Sequence, residues 1–295
     1  MMKEFFNYGD IKENENEIKK TWNEFRKALK KNKFSINDID KAKQCIFLKQ
    51  YDDLFTRHNG IKYKTITIHD LITKNMGRGS ILKEDEKIDY ERFVPKKEFI
   101  KHDNRFSPPG MEWLYLAIGN NDDDIHQCAQ LECRAKNGER FGFCYFGFNK
   151  EKYGLKLVDL TIADNKTYTM INRELDNYVQ KIYKKSKRRV QKYGFIKENN
   201  IVNEQEFQSE YKRWAVFTYS KLISENIFVP LNTSEDGEEK ENIYAPFQVM
   251  AQYYASLGFS GIVYESTVFK NCKNIVLFNK NIASPIGDIE DYIIK

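Results

Sequence analysis

The stretch from Asn104 to Ala117 constrains this chain more than any other. Pro108 and Pro109 fix their own backbone angles, and Gly110 permits the reversal that follows them. The chain therefore turns a rigid corner before Trp113-Leu114-Tyr115-Leu116-Ala117, and its aromatic and aliphatic content predicts a buried strand over Glu112–Ile118. Arg105 and Tyr115, ten positions apart, are held in a fixed relation across that corner.

Around this point the periodicities predict an α+β chain. Ile18, Trp22, Phe25 and Leu29 form one apolar stripe among Lys and Glu, which predicts a first helix. Ser35 and Asp38 open a second helix expected to reach Phe55 and to close at Asn59-Gly60. Thr65–Ile68 reads as a strand or turn, and Gly77-Arg78-Gly79-Ser80 as a connecting loop whose two glycines are weak evidence for a phosphate site. Further strands are expected at Arg140–Phe148, Leu155–Leu160, Gly261–Glu265 and Asn274–Asn279. Helices are expected at Asp122–Ala135, Asn172–Lys192, Glu204–Glu225 and Pro246–Leu257, the last with Pro246 in its first turn and Gly258 as its stop. Glu235–Asn242 reads as a charged loop. Because strands and helices do not alternate strictly, α+β is favoured over a doubly wound sheet. The expected division is a helical extension over 1–85 and a main domain over 86–295 with a helical insertion around 170–245.

With 295 residues the chain is long enough for a sizeable core. No apolar run approaches a membrane span, and Met1-Met2-Lys3-Glu4 lacks the apolar core of a signal peptide, so a cytoplasmic location and no membrane partner are expected. Cys45, Cys128, Cys133, Cys144 and Cys272 show no paired spacing, and no zinc or other metal site is expected from them. They read as small buried hydrophobes. The net charge of +5 is modest, but seven of the twelve positions from Lys181 to Lys192 are Lys or Arg. Without an accompanying nucleic-acid motif this run reads as a solvated helix face, and nucleic acid is not the expected partner.

The segments Asn104–Gly110, Trp113–Ala117, Glu132-Cys133-Arg134, Ser266 and Asn274–Phe278 together resemble the RES domain, over about 90–285 of this chain. The resemblance implies an ADP-ribosyltransferase-like α+β fold and cleavage of NAD at the nicotinamide–ribose bond, with water or phosphate as acceptor. NAD is then a substrate, and no cofactor is implied. Many members are toxins, which implies a cognate antitoxin as a possible partner. Carried onto this sequence, the resemblance makes Arg105, Tyr115 and Glu132 catalytic candidates, and Ser266, Asn274 and Arg92 substrate-binding candidates. Glu265, beside Ser266, departs from the small residue or proline expected there.

The residue types suit that chemistry. A guanidinium matches a pyrophosphate, and a tyrosine ring can stack on nicotinamide while its hydroxyl bonds an oxygen. Loss of nicotinamide leaves positive charge on the ribose, which a carboxylate stabilises. Compact members would put that carboxylate nearer Gln130. Here, however, Ile125, Cys128, Ala129 and Glu132 share one helix face, and Gln130 lies off it, so Glu132 is preferred. Ser266 has no His–Asp partner spacing that would make it a nucleophile. Asn274 reads either as a substrate contact or as a tie for the Ser266 loop. Two other readings stay open: an ADP-ribosyltransferase acting on a macromolecule, and a non-enzymatic nucleic-acid-binding module using the basic run.

Overall fold

The computed structural model describes residues 10–31, 34–57, 59–193, 204–228 and 237–295. Among these, eight strands form one open sheet: β1 (Thr65–Thr67), β2 (Asn75–Ile81), β3 (Leu114–Gly119), β4 (Arg140–Phe148), β5 (Lys156–Asp159), β6 (Gly261–Glu265), β7 (Lys273–Leu277) and β8 (Ala283–Ile293). Their order is β1-β5-β6-β7-β3-β2-β4-β8. Only the β5–β6 pair is parallel. The helices are α1 (Ile11–Lys30), α2 (Ile39–Ala42), α3 (Ile46–Asp52), α4 (Asp122–Glu132), α5 (Tyr168–Tyr193), α6 (Glu204–Asn226) and α7 (Gly237–Ser256). The chain thus mixes α and β structure, as the pattern predicts.

Two compact units emerge, and they do not follow the expected division at residue 85. One comprises Met1–Trp22, Ile46–Lys64 and Thr161–Phe228; the other comprises Asn23–Cys45, Thr65–Leu160 and Val229–Lys295 and holds the entire sheet. β1 and β2 lie before residue 85 yet are integral to that sheet, β2 pairing with both β3 and β4. The helices around 170–226 belong with the N-terminal segments, so they do not form an insertion of the sheet's own unit.

In the helical unit α6 buries Trp214, Tyr219, Leu222 and Ile223, and the Trp214 indole donates to Asn172 Oδ1 on α5 at 2.9 Å. The expected second helix is broken. Asp38 caps α2 through a bond from Lys41 N at 3.2 Å, but α2 stops at Ala42, and α3 continues into one π-helical stretch over Asp53–Arg57. Asn59 then takes a left-handed φ of 54°, as the Asn-Gly stop predicts. The basic run on α5 is a solvated face: Lys181, Lys184, Lys185, Lys187, Arg188 and Lys192 are all exposed. Among the described residues, no helix is long and apolar enough to cross a membrane.

Strand alternation sorts the sheet into two faces. Leu114, Leu116, Ile118, Met76, Cys144 and Ile275 cluster on one face, while Ala117, Phe141 and Phe143 pack with Ile125, Cys128 and Ala129 of α4 on the other. Each buried phenylalanine there contributes about 1.5–3 kcal/mol. These rings also explain β2, which the two glycines disguise as a loop. A Cβ at Gly77 would meet the Phe143 ring at 2.0 Å, and one at Gly79 would meet the Phe141 ring at 2.1 Å. The glycines are strand positions emptied to admit neighbouring aromatics.

β2 does not follow β3 throughout. Its ladder to β3 covers only Asn75–Gly77 opposite Ala117–Gly119, whereas its ladder to β4 continues to Ile81. β3 meanwhile stays paired with β7 back to Leu114. The sheet therefore splits between Arg78–Ile81 and Leu114–Leu116. β8 is not among the expected strands, and it carries Pro285 and Gly287 within it. Both are accommodated on an edge strand, where Gly287 (φ 66°) sits at the register shift opposite Phe143–Tyr145. Finally, Pro246 lies inside α7 and not in its first turn, and part of the expected charged loop is helical from Gly237 onward; 235–236 lie outside the described residues.

Candidate functional site

The split in the sheet holds a cavity of about 230 Å³ bordered by Arg78, Asn104, Tyr115, Glu132, Tyr264 and Asn274, among others. Each arrives from a different element, and local structure fixes each one.

Glu132 is the last residue of α4. The helix starts at Asn121, whose side chain accepts from Asp123 N at 3.0 Å, with Asp122, Asp123 and Asp124 in the first turn where the helix dipole favours acids. It ends in a Schellman closure: Arg134 N donates to Leu131 O and Ala135 N to Gln130 O, both at 3.0 Å, with Arg134 at a φ of 55°. The expected extension to Ala135 fails because Arg134 leaves the helical region. Left-handed backbone costs a non-glycine residue roughly 1–2 kcal/mol, so Arg134→Gly is expected to stabilise the fold by about 1 kcal/mol in a denaturant titration. A destabilised variant would mean that the Arg134 side chain, not its backbone, sets the helix end.

At this terminus Ser266 Oγ donates to Glu132 Oε1 at 2.9 Å, and Asn274 Nδ2 donates to the same oxygen at 2.6 Å. Both donors are buried, at 2 % and 5 % exposure, while Glu132 itself is exposed. Oε2 accepts no hydrogen bond among the described residues. Ser266 Oγ in turn accepts from Phe269 N at 3.2 Å and from Val268 N at 3.4 Å, which fixes its loop. Its hydroxyl proton is committed to the carboxylate, an arrangement for holding an anion rather than for making a nucleophile. Asn274 sits on β7 opposite Ala117 and Tyr264, facing α4. Gln130 goes elsewhere, donating to Tyr292 OH at 3.0 Å. Glu265 is exposed at the end of β6.

Tyr115 lies on β3 at the edge of the split. Its hydroxyl shares a hydrogen bond of 2.9 Å with Ser107 Oγ, which is fully buried. Burial raises the phenol well above its ordinary value, so it stays neutral at physiological pH. Arg105 is presented by the turn at 104–107, where Asn104 N bonds Ser107 O at 2.9 Å and Phe106 packs edge-on against Tyr264 at 4.9 Å. Its Nη2 reaches Thr267 Oγ1 at 3.4 Å, next in sequence to Ser266, and its guanidinium lies 5.6 Å from the centre of the Phe247 ring. From α7, Gln248 Nε2 donates to Asp103 Oδ1 at 2.8 Å and to Asn104 O at 3.2 Å, and so anchors the turn from behind.

Two guanidinium nitrogens stand out. Arg105 Nη1 and Arg78 Nη1 are both buried without a hydrogen-bond partner among the described residues. A buried donor left unpaired costs about 1–3 kcal/mol, more when it is charged. Burial lowers the Arg78 affinity for its proton, the expected response of a cation removed from water without an anion beside it. The sequence reading places Arg78 in a connecting loop with only weak evidence for a phosphate contact; it lies instead inside β2, between glycines that make room for neighbouring rings.

Arg92 is not brought into this cavity. Its Nε bonds Glu86 Oε1 at 2.6 Å and its Nη2 bonds Ile81 O at 3.2 Å, on the wall of a neighbouring cavity. All five cysteines are free thiols; Cys128, Cys144 and Cys272 are buried, and burial pushes the Cys133 thiol up to about 11. Among the described residues, no three His, Cys, Asp or Glu side chains cluster so as to hold a metal ion. No family model matches the chain, and no curated protein or solved structure matches it either.

Proposed function

We propose that this chain is an ADP-ribosyltransferase-like enzyme of the RES type that cleaves NAD between nicotinamide and ribose, with water or phosphate as acceptor. The observation that carries the reading is a charge pattern: one carboxylate, held by Ser266 and Asn274, near two half-buried arginines that each keep one buried, unpaired Nη1. NAD has the complementary pattern, a pyrophosphate for Arg78 and Arg105 and a cationic ring near Glu132. That Tyr115, Glu132 and Asn274 line one cavity, with Ser266 bonded to Glu132 and Arg105 reaching the adjacent Thr267, supports the resemblance from which the reading starts.

In this mechanism the bond between ribose C1′ and the nicotinamide nitrogen breaks, and its electron pair neutralises the departing ring. No acid is required. Positive charge grows on the ribose, and Glu132 faces it with its geometry already set, so little reorganisation is needed as the charge appears. Water then adds to C1′ and releases a proton, or phosphate adds to give a ribose 1-phosphate ester. Tyr115, neutral and oriented by Ser107, stacks against the leaving ring. Depletion of NAD harms the cell that makes such an enzyme, so a cognate antitoxin that occludes the cleft belongs to the same reading.

The test is NAD turnover by the purified chain, with and without inorganic phosphate, followed by nicotinamide release. Expected are free nicotinamide and either ADP-ribose or its 1″-phosphate, the second only when phosphate is supplied. Intact NAD under both conditions, with folded protein, would overturn the proposal.

A further inference from the structure

The cavity at Glu132 is too small for a whole dinucleotide. At about 230 Å³ it falls below the roughly 300–1,000 Å³ of ordinary small-molecule sites, and it suits the nicotinamide riboside half alone. A second cavity of about 770 Å³ lies next to it, and Arg78 borders both. Arg78 Nη1 is buried and unpartnered at the junction. A pyrophosphate satisfying that guanidinium would direct the two halves of the dinucleotide to either side of it.

The second cavity has the chemistry of a base site and not of another phosphate site. Two of its cations are already paired with acids: Arg92 Nε contacts Glu86 Oε1 at 2.6 Å, and Lys96 Nζ contacts Glu91 Oε2 at 2.9 Å, while Lys83 and the shared Arg78 also border it. Acids outnumber free cations along its charged side, with Glu84, Asp85, Glu86 and Glu91 there, which disfavours a second phosphate. Val94, Pro95, Phe99 and Ile100 give the cavity an apolar side. Phe99 is 75 % exposed, more than any other large hydrophobic residue among those described, a phenyl face with nothing packed over it that explains its place. An exposed aromatic at a cavity rim is a stacking platform for a nucleobase. Glu84 and Asp85 stand on the charged side, and carboxylates there accept from an exocyclic amine.

We infer that the cavity lined by residues 83–100 binds the adenosine half of the substrate, with Phe99 stacking on adenine and Arg78 holding the pyrophosphate between the two subsites. The identity of the ligand rests on the NAD reading above; the subsite itself rests on the shared arginine and on Phe99.

The experiment uses AMP as the probe for the distal half, in calorimetry and as an inhibitor of NAD turnover, on the wild type, Phe99→Ala and Phe99→Trp. AMP is expected to bind the wild type and to weaken about tenfold in Phe99→Ala, with the KM for NAD rising in proportion and kcat retained. Phe99→Trp is expected to restore both, which a merely structural role would not do. Because Phe99 is largely exposed, neither substitution threatens the core. Equal AMP affinity in Phe99→Ala, or an unchanged KM for NAD, would overturn the inference while leaving NAD cleavage intact. AMP binding that depends on Phe99, in a protein that never turns over NAD, would uphold a nucleotide subsite and remove the proposed reaction instead.

Discussion

Glu132→Gln is expected to lower kcat for NAD cleavage about 10²–10³-fold, with KM changed only slightly. The substitution isolates charge. Ser266 Oγ and Asn274 Nδ2 both donate to Oε1, and a glutamine carbonyl in that position accepts both bonds. Shape, packing and thermal stability therefore stay close to those of the parent, and only the anion that the proposed mechanism sets against the ribose is removed. Steady-state kinetics together with a melting curve read the two effects separately. A glutamine variant with full kcat would show that the positive charge developing on the ribose is stabilised by some other group. Loss of folding would show that the carboxylate is a structural anchor.

Arg78→Met is expected to move stability and activity in opposite directions. The native guanidinium is buried with Nη1 unpaired, and burial without a partner works against its charged form. A methionine of similar length removes that penalty, and replacements of buried charges by apolar groups stabilise on the order of 1–4 kcal/mol. Meanwhile the pyrophosphate loses a charge-assisted contact worth about 1.5–3 kcal/mol, which raises the KM for NAD roughly 10- to 150-fold. A melting temperature that rises as KM rises is the signature of a cation kept for its ligand. If Arg78→Met melts lower than the parent, the arginine is serving the fold through its packing, and its role in binding must be doubted.

Legibility in the sequence followed the strength of local pattern. The strands Arg140–Phe148 and Gly261–Glu265 have the predicted bounds because each is apolar or aromatic along its length and is bounded by polar turns. The α4 face was readable for the same reason: Ile125, Cys128 and Ala129 are buried, and Glu132 continues their line while Gln130 departs from it. What escaped were positions whose residue type answers to a partner distant in sequence. Gly77 and Gly79 look like breakers until the rings of Phe143 and Phe141 are seen lying across them. Pro285 and Gly287 sit inside a strand because it is an edge strand with a shifted register. Pro246 looks like a helix start, although α7 continues through it and forgoes the hydrogen bond that its missing N–H cannot make. Arg92 is named by the resemblance alone, as an arginine near the start of the matched region, but Glu86 and Ile81 O claim its side chain. The division at residue 85 failed because β1 and β2 pair with strands that come much later in the chain.

The return of the chain through β6 and β7 also has a consequence for the order of events in biosynthesis. Arg78, Arg105, Tyr115 and Glu132 have all been made before α5 begins, whereas the two groups that hold the Glu132 carboxylate, Ser266 and Asn274, come only after α6 and α7. Proteins are made from the N-terminus, so a nascent chain has its arginines and its acid long before it has the clasp that aligns them. Until synthesis has passed Asn274 the carboxylate is free to turn in solvent and β3 has no partner on its β7 side. Any activity that depends on this carboxylate is thereby delayed until synthesis has moved beyond β7.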